Sequence, residues 1–323
     1  MKKNLALIAL LLSTFMLTAC STQNAATSKP TQKLYKIAIV QPTDLPLWSD
    51  ICDALNLELT ALELEKNIQL ERKIFYVQDT DIEKIGKQIV REQYDAMIPL
   101  STTVAQYMID AAEQKIPVVF ATDHLTDTFQ TLDAVSGVSG VSNTNLIFDM
   151  MFAQKPDIQT VGLLYHSDYS TDEIHSAKTY LDAKGITYVE QTAETERDLI
   201  KAATLLSNQV DVVFTPSTPC STENQQRIAG IFKEKHIPYY TSSPSFVQNG
   251  AFASCSADYT EIGKLTADLT ISVLETAAFP PYHILNDRVI TVNADTAEQI
   301  SANYAVFYDI GQCRVLDLPP THN

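Results

Sequence analysis

The 323-residue chain lacks most of the features that announce a reaction. Glycine occurs only nine times. No stretch has the spacing of a Walker A loop, a GxGxxG turn or a GxSxG elbow, so the backbone geometry that cradles phosphates or exposes a nucleophile is missing. The run Gly137-Val138-Ser139-Gly140 has the wrong spacing for any of them. His124, His166, His175, His236, His283 and His322 stand without an HExxH or HxxxH partner, and the five cysteines form no CxxC pair. No metal, cofactor or catalytic residue is expected on these grounds. His166 beside Asp168 is the one acid–base pair at a predicted strand end, and it reads as a polar rim histidine. Positive charge is scarce as well, with 23 basic residues against 39 acidic ones, which excludes the basic surface that nucleic-acid binding needs. No apolar run approaches the roughly 20 residues that cross a bilayer.

The amino terminus is more explicit. Lys2-Lys3 precede an uncharged apolar run, Leu5 to Leu17, too short to span a membrane, and Leu17-Thr18-Ala19-Cys20 follows. This resembles the lipobox of bacterial lipoproteins, which implies a signal peptide over 1–19, lipidation of Cys20, and a polar tether over 20–33. Loss of Lys2 and Lys3 leaves 21 basic residues against 39, a formal charge of −18. Such a surface keeps a protein soluble and is repelled by anionic lipid, so the lipid is the expected membrane contact. Cys52, Cys220, Cys255 and Cys313 remain, enough for up to two disulfides in an oxidising compartment. With no metal-like spacing they read as small buried hydrophobes.

The middle of the chain repeats itself. Gln93 to Pro99, Ser101-Thr102-Thr103, an amphipathic stretch and Lys115 to Thr122 are answered by Gln209 to Pro216, Ser217-Thr218, another amphipathic stretch and His236 to Thr241. Upstream, Lys36–Val40 matches Thr160–Tyr165, and Phe75–Thr80 matches Thr187–Thr192. The short runs are apolar at consecutive positions, as strands buried on both faces of a parallel sheet must be. The stretches between them read as helices, one of them with Val104, Tyr107, Met108 and Ala111 on its inner face. Pro117 and Pro238 end helices and open strands. The predicted fold is α/β: two doubly wound parallel-sheet lobes, 34–140 with about 257–285, and 141–256 with about 286–323. Three crossings join them, near Ser139–Asn143, Ser256–Asp258 and Pro281–Asp287. A strand over 251–256 and a helix from Asp258-Tyr259 to about Thr276 complete the pattern.

In such sheets ligands sit beyond the carboxyl ends of the strands, beside helix amino termini. The candidate wall is therefore Gln41, Asp44, Ser101, Thr102, Thr103, Thr122 and Asp123 from the first lobe. Tyr165, Ser167, Tyr169, Ser217, Thr218, Ser242 and Ser243 come from the second, with Asp258 and Tyr259 at a crossing. Each hydroxyl is equally suited to cap a helix. Thr102-Thr103 suit a carboxylate, the acids an ammonium, and the tyrosines a flat ring. Trp48, inside an amphipathic run, reads as core. Asp95 and Asp211 precede strands at the far end and read as structural.

Val138 to Asn143, Lys155-Pro156-Asp157 ahead of Val161 to Tyr165, Asn249 to Ala253, Ala257 to Gly263, and Ile39-Val40-Gln41 with Pro46 five residues on resemble the ABC transporter substrate-binding lipoproteins. Described members of that group serve tryptophan and tyrosine uptake. The resemblance spans nearly the whole mature chain and implies a type I periplasmic-binding fold that closes on a small ligand and delivers it to a permease and its ATPase. This chain departs from the family pattern in three places. It has Leu45-Pro46 where the family has His-Pro, Thr218-Pro219 where it has an acid and an amide, and Ser243-Pro244-Ser245 where it has acids. An amino-acid ligand then takes its cation partner from Asp44, Asp123 or Asp258. The expected function is a lipid-anchored, extracytoplasmic solute-binding protein of an ABC importer. The alternatives are a ligand-sensing receptor on the same fold or, further off, a surface enzyme.

Overall fold

The first strand shows why each sheet carries helices on both sides. In β1 (Leu34–Pro42), Ile37 and Ile39 belong to one core cluster and Ala38 and Val40 to another, and all four are fully buried. A strand apolar on both faces is stable only between two layers. The computed structural model describes residues 32–317 apart from 44–45, 79–80, 123–128, 130–131, 142–143 and 168–170. The signal peptide, Cys20 and the tether up to residue 31 therefore lie outside the described residues, as do Asp44, Asp123 and Tyr169. Met1–Lys33 and Leu34–Asn323 are separate units, and both sheets belong to the second.

After β1 come α1 (Pro46–Lys66), β2 (Gln69–Val77), α2 (Ile82–Arg91), β3 (Ala96–Pro99), α3 (Thr102–Ala112), β4 (Val118–Thr122) and β5 (Val135–Ser139). The second series is α4 (Thr144–Gln154), β6 (Thr160–His166), α5 (Thr171–Lys184), β7 (Thr187–Ala193), α6 (Glu196–Leu206), β8 (Val212–Thr215), α7 (Thr222–Glu234), β9 (Tyr239–Thr241), α8 (Pro244–Gln248) and β10 (Ala253–Ala257). The chain closes with α9 (Tyr259–Thr276), β11 (His283–Ile284), β12 (Arg288–Asn293), α10 (Ala294–Gln299), a 3-10 turn (Ala305–Asp309) and β13 (Gln312–Leu316).

The strand order is β11-β5-β4-β3-β1-β2 in the first sheet and β13-β12-β10-β9-β8-β6-β7 in the second. Five strands of each sheet thus run 2-1-3-4-5, the flavodoxin-like doubly wound order. The sequence repeat is this shared order. α1 and α9 cover one face of the first sheet, and α2 and α3 the other. In the second sheet α4 and α5 oppose α6, α7 and α8. Trp48 is buried with α1 in the first of these layers.

Both acids at the far ends are structural, and they do the same work in each repeat. Asp95 Oδ2 accepts the Lys36 amide at 2.7 Å, and Asp211 Oδ2 accepts the Gln159 and Thr160 amides at 2.8 Å. Each carboxylate satisfies N–H groups where a repeat's first strand begins.

Two expectations need correction. The inner face of α3 is Val104, Ala105, Met108 and Ala112, and Tyr107 is 42% exposed. Ala105 packs with Phe120 of β4, which centres the inner face on 104, 105, 108 and 112 and leaves Tyr107 about a third of a turn off it. The second sheet is also not wholly parallel, because β12 pairs antiparallel with β10. The chain leaves this sheet after Ala257, builds α9 and β11 on the first, and returns at the same end, with Arg288 opposite Ala257. A strand entering there must run back against β10. All four described cysteines are free. Cys255 and Cys313 both pair with Ile290, from opposite sides, which puts a whole strand between them. Burial pushes the Cys52 thiol up to about 11 and the Cys255 thiol up to about 12, so neither is a reactive thiolate.

Candidate functional site

The strand order fixes where to look. In a 2-1-3-4-5 sheet the chain reverses direction between strands 1 and 3, and a crevice opens at their carboxyl ends. Here that is between β1 and β3 in the first sheet and between β6 and β8 in the second.

At the first crevice Gln41 is buried, with Nε2 donating to Ser49 Oγ of α1 at 3.0 Å. Ser101 follows β3. Its Oγ accepts the Val104 amide at 3.3 Å, so Ser101 is the cap of α3, and Thr102 and Thr103 form the first turn. Ser101 also sits at φ +90°, ψ 151°, a region that is essentially glycine-only. Most other positive-φ residues lie where helices end, as Asn67, Gln93, Glu113, His236 and Ala277 do. Ser101 is the one at the start of a helix and the mouth of a crevice. Its amide is held by Ala121 O at 3.0 Å, and that bond fixes the strained turn. Thr103 is exposed and Thr102 half-buried. Thr122 is turned inward, fully buried and donating to Ser139 Oγ at 3.0 Å.

The second crevice gathers more polar groups. Ser217 and Ser242, after β8 and β9, meet with their hydroxyls 3.4 Å apart. The Ser217 amide donates to Glu173 Oε2 at 3.2 Å. Glu173 is in the first turn of α5 and was not among the residues picked out from sequence. Ser167 follows β6, its amide donating to Ala193 O at 2.9 Å. Thr218 is 2% exposed, and its Oγ1 is shut off from solvent. Ser243 is buried beside Ser245, their hydroxyls 2.9 Å apart.

The remaining candidates are committed elsewhere. Tyr165 donates to Glu190 Oε2 at 2.7 Å, and Lys178 pairs with the same oxygen at 2.6 Å. Burial opposes ionisation of Glu190, but Lys178 and Tyr165 outweigh it and hold the carboxyl below its ordinary range. Asp258 caps α9, accepting the amides of Thr260 and Glu261 at 3.0 and 3.3 Å. Tyr259 packs on the core shared by α1 and α9. Glu196, in the first turn of α6, takes the Ser221 hydroxyl at 2.6 Å and also the Asn224 amide group. It thereby ties the loop after β8 to the start of α7. No cluster of three His, Cys, Asp or Glu side chains fit for a metal occurs among the described residues.

A surface pocket of about 400 Å³ lies elsewhere, lined by Ile109, Glu113, Ile116, Leu132 and Val135 among others. It opens at the amino ends of β4 and β5, the end of the sheet away from the crevices. Ligands of doubly wound sheets bind at the opposite end.

Comparison with known proteins agrees with the fold. A tyrosine-binding protein of Clostridioides difficile is 24% identical over 231 residues, which is 68% of this chain and 66% of that protein, just under two thirds of its length. Among solved structures, an ABC domain in complex with L-Trp from Streptococcus pneumoniae superposes with a TM-score of 0.74 at 21% identity. It covers 87% of this chain and all of the other. A ligand-free, open substrate-binding protein with adhesive properties from Clostridium difficile gives a TM-score of 0.69 at 19% identity, covering 88% of this chain and all of that one. The fold is the two-sheet α/β type I periplasmic-binding fold. The family model described as ABC transporter substrate binding protein matches residues 36–303. The chain belongs to that family, whose members bind a solute and do not convert it.

Proposed function

We propose that the chain is the lipid-anchored, extracytoplasmic receptor of an ABC importer, and that it takes an aromatic amino acid or a similarly small, flat polar solute. Residues 34–140 with 257–285 form one lobe and 141–256 with 286–323 the other, and the ligand lies between the crevices of the two. The observation that carries this reading is the pairing of unlike polar ends at the two reversal points. One is the strained Ser101 turn opening α3; the other is the Glu173–Ser217–Ser242 strip. A strained non-glycine residue at a crevice mouth persists only where the surroundings hold it, and such residues concentrate at ligand sites. Hinge closure of the lobes would present the closed form to a permease and its ATPase. The names of relatives that bind tyrosine or tryptophan support the ligand class.

Thermal unfolding of residues 21–323 in the presence of amino acids, sugars and nucleosides tests the ligand. An aromatic amino acid at about 100 times its dissociation constant is expected to add about 2.7 kcal/mol of stability, seen as a raised midpoint. A midpoint moved by a sugar or nucleoside and untouched by tryptophan and tyrosine would overturn the ligand class. Anchoring at Cys20 is tested separately: Cys20→Ala is expected to move the processed protein from the membrane fraction to the soluble one.

A further inference from the structure

We infer that the outer edge of β2 is an interface for a second copy of this chain, which adds its own β2 antiparallel and joins the two first sheets across a two-fold axis. This surface is separate from the crevices, and the inference does not depend on the ligand proposed above.

β2 is the last strand of the first sheet and is nine residues long, and among the described residues it pairs with β1 alone. Such an edge is a template for a further strand. Its even-numbered residues face the α1 layer, where Leu70 and Ile74 are half-buried against the core and Tyr76 is 60% exposed. Glu71 and Lys73 lie on the other face, the one that buries Phe75 and Val77, and both are exposed.

Symmetry leaves few registers. Alternate residues of a strand direct their backbone groups to the same side, so residues opposite each other across the two-fold axis differ by an even number. The register centred on Arg72 sets Glu71 against Lys73 of the second copy and Lys73 against its Glu71, two opposite-charge pairs at once. On the other face Leu70 meets Ile74, again twice, and Tyr76 comes opposite Ile68. Centring on Glu71 or Lys73 puts that residue against its own copy, and centring on Leu70 or Ile74 forms neither charge pair. Opposite charges directly across a ladder stabilise it and like charges weaken it, so residues 70–74 are complementary to themselves in one register. Arg72 meets its own copy at the centre, but its guanidinium is turned onto α1. There it is neutralised by Glu63 Oε2 at 2.6 Å and also donates to Asn56 O and Thr60 Oγ1, both at 3.0 Å. Lys73 stands over the Phe75 ring with Glu92 Oε2 4.0 Å away. An ammonium has three donors, so it can take Glu71 of the second copy as well.

Charges on an edge strand ordinarily deter pairing, and the second sheet shows that form. β7 holds the same edge there, and its one charge, Glu190, is taken by Lys178 and Tyr165. A copy of β7 has no base to offer, and neither β7 nor α5 exposes a large hydrophobic residue among the described ones. The two repeats therefore differ at this edge, and the self-complementary pattern belongs to β2.

Sedimentation velocity of the processed full chain carrying Cys20→Ala, over a wide range of concentration at physiological ionic strength, tests the pairing. A reversible dimer is expected. Glu71→Lys and Lys73→Glu each turn two attractive pairs into two repulsive ones, and each is expected to raise the dissociation constant about tenfold or more. Mixing the two variants in equal amounts sets a base against an acid at every charged contact, so the dimer should return. It should return equally in the Glu71→Lys/Lys73→Glu double variant. Recovery on mixing also shows that neither single variant has misfolded. A wild type that stays monomeric, single variants that dimerise as tightly as the wild type, or a mixture that stays monomeric would each overturn the inference. The ligand reading stands in all three cases.

Discussion

Gly263→Ala is expected to destabilise the protein by about 3 kcal/mol, counter to the usual behaviour of this change inside a helix. In an exposed helix, alanine for glycine gains about 1 kcal/mol. Here α9 crosses α1 at Gly263, and a β-carbon would lie 2.5 Å from the Ile51 carbonyl oxygen and 2.8 Å from both Ala54 Cβ and Leu55 N. Two of these neighbours are backbone atoms of a helix and cannot swing aside. The helices would have to separate, loosening a layer that includes Trp48, Ile51, Leu55, Ile262 and Ile271. Thermal unfolding checks the sign, with a midpoint roughly 6 °C or more lower. A higher midpoint would show that the close crossing is not there.

Asn293→Leu is expected to cost about 2–3 kcal/mol, the penalty for a lost cap that leaves its buried amide orphaned. Asn293 is 2% exposed at the end of β12. Its Oδ1 accepts the Thr296 amide at 2.9 Å and caps α10, while its Nδ2 donates to Val247 O of α8 at 2.9 Å. Leucine matches the volume and supplies neither bond, so the Thr296 amide would be left dry and unpaired, while the Val247 carbonyl would keep only the Gly250 amide at 3.2 Å. Asn293→Asp keeps the acceptor and loses the donor, so it should fall between the two. Urea unfolding at constant slope measures the series. A leucine variant as stable as the wild type would mean that the Thr296 amide reaches water.

Much of this fold was legible because its strands are buried on both faces. Ile37-Ala38-Ile39-Val40 and Val161 to Leu164 are uninterrupted apolar runs, and their duplication carried the shared strand order. β11 and β13 were not legible. The first is two exposed residues, and the second, Gln312–Leu316, is an edge strand with no fully buried position. The site divided in the same way. Hydroxyls at strand ends could be named from turn chemistry, and Ser217 and Ser242 do meet. Glu173 could not, because an acid in a helix's first turn looks like any other, and its contact with Ser217 spans 44 positions. Side-chain direction was also out of reach. Thr122 and Thr218 sit at the ends of the right strands with their side chains turned into the protein.

The three passages between sheets set an order of events on a growing chain. The first sheet takes its edge from His283–Ile284, and much of one of its helical layers from Tyr259–Thr276. All of β6 to β10 is made before either exists. The amino-terminal half therefore leaves the ribosome with α1 unmatched and its apolar face uncovered, and it cannot finish folding until some 284 residues have been joined. Its long-range contacts put completion of the first sheet late. A chain cut before His283 would therefore leave the first sheet without its edge strand, and one cut before Tyr259 would leave it without α9 as well.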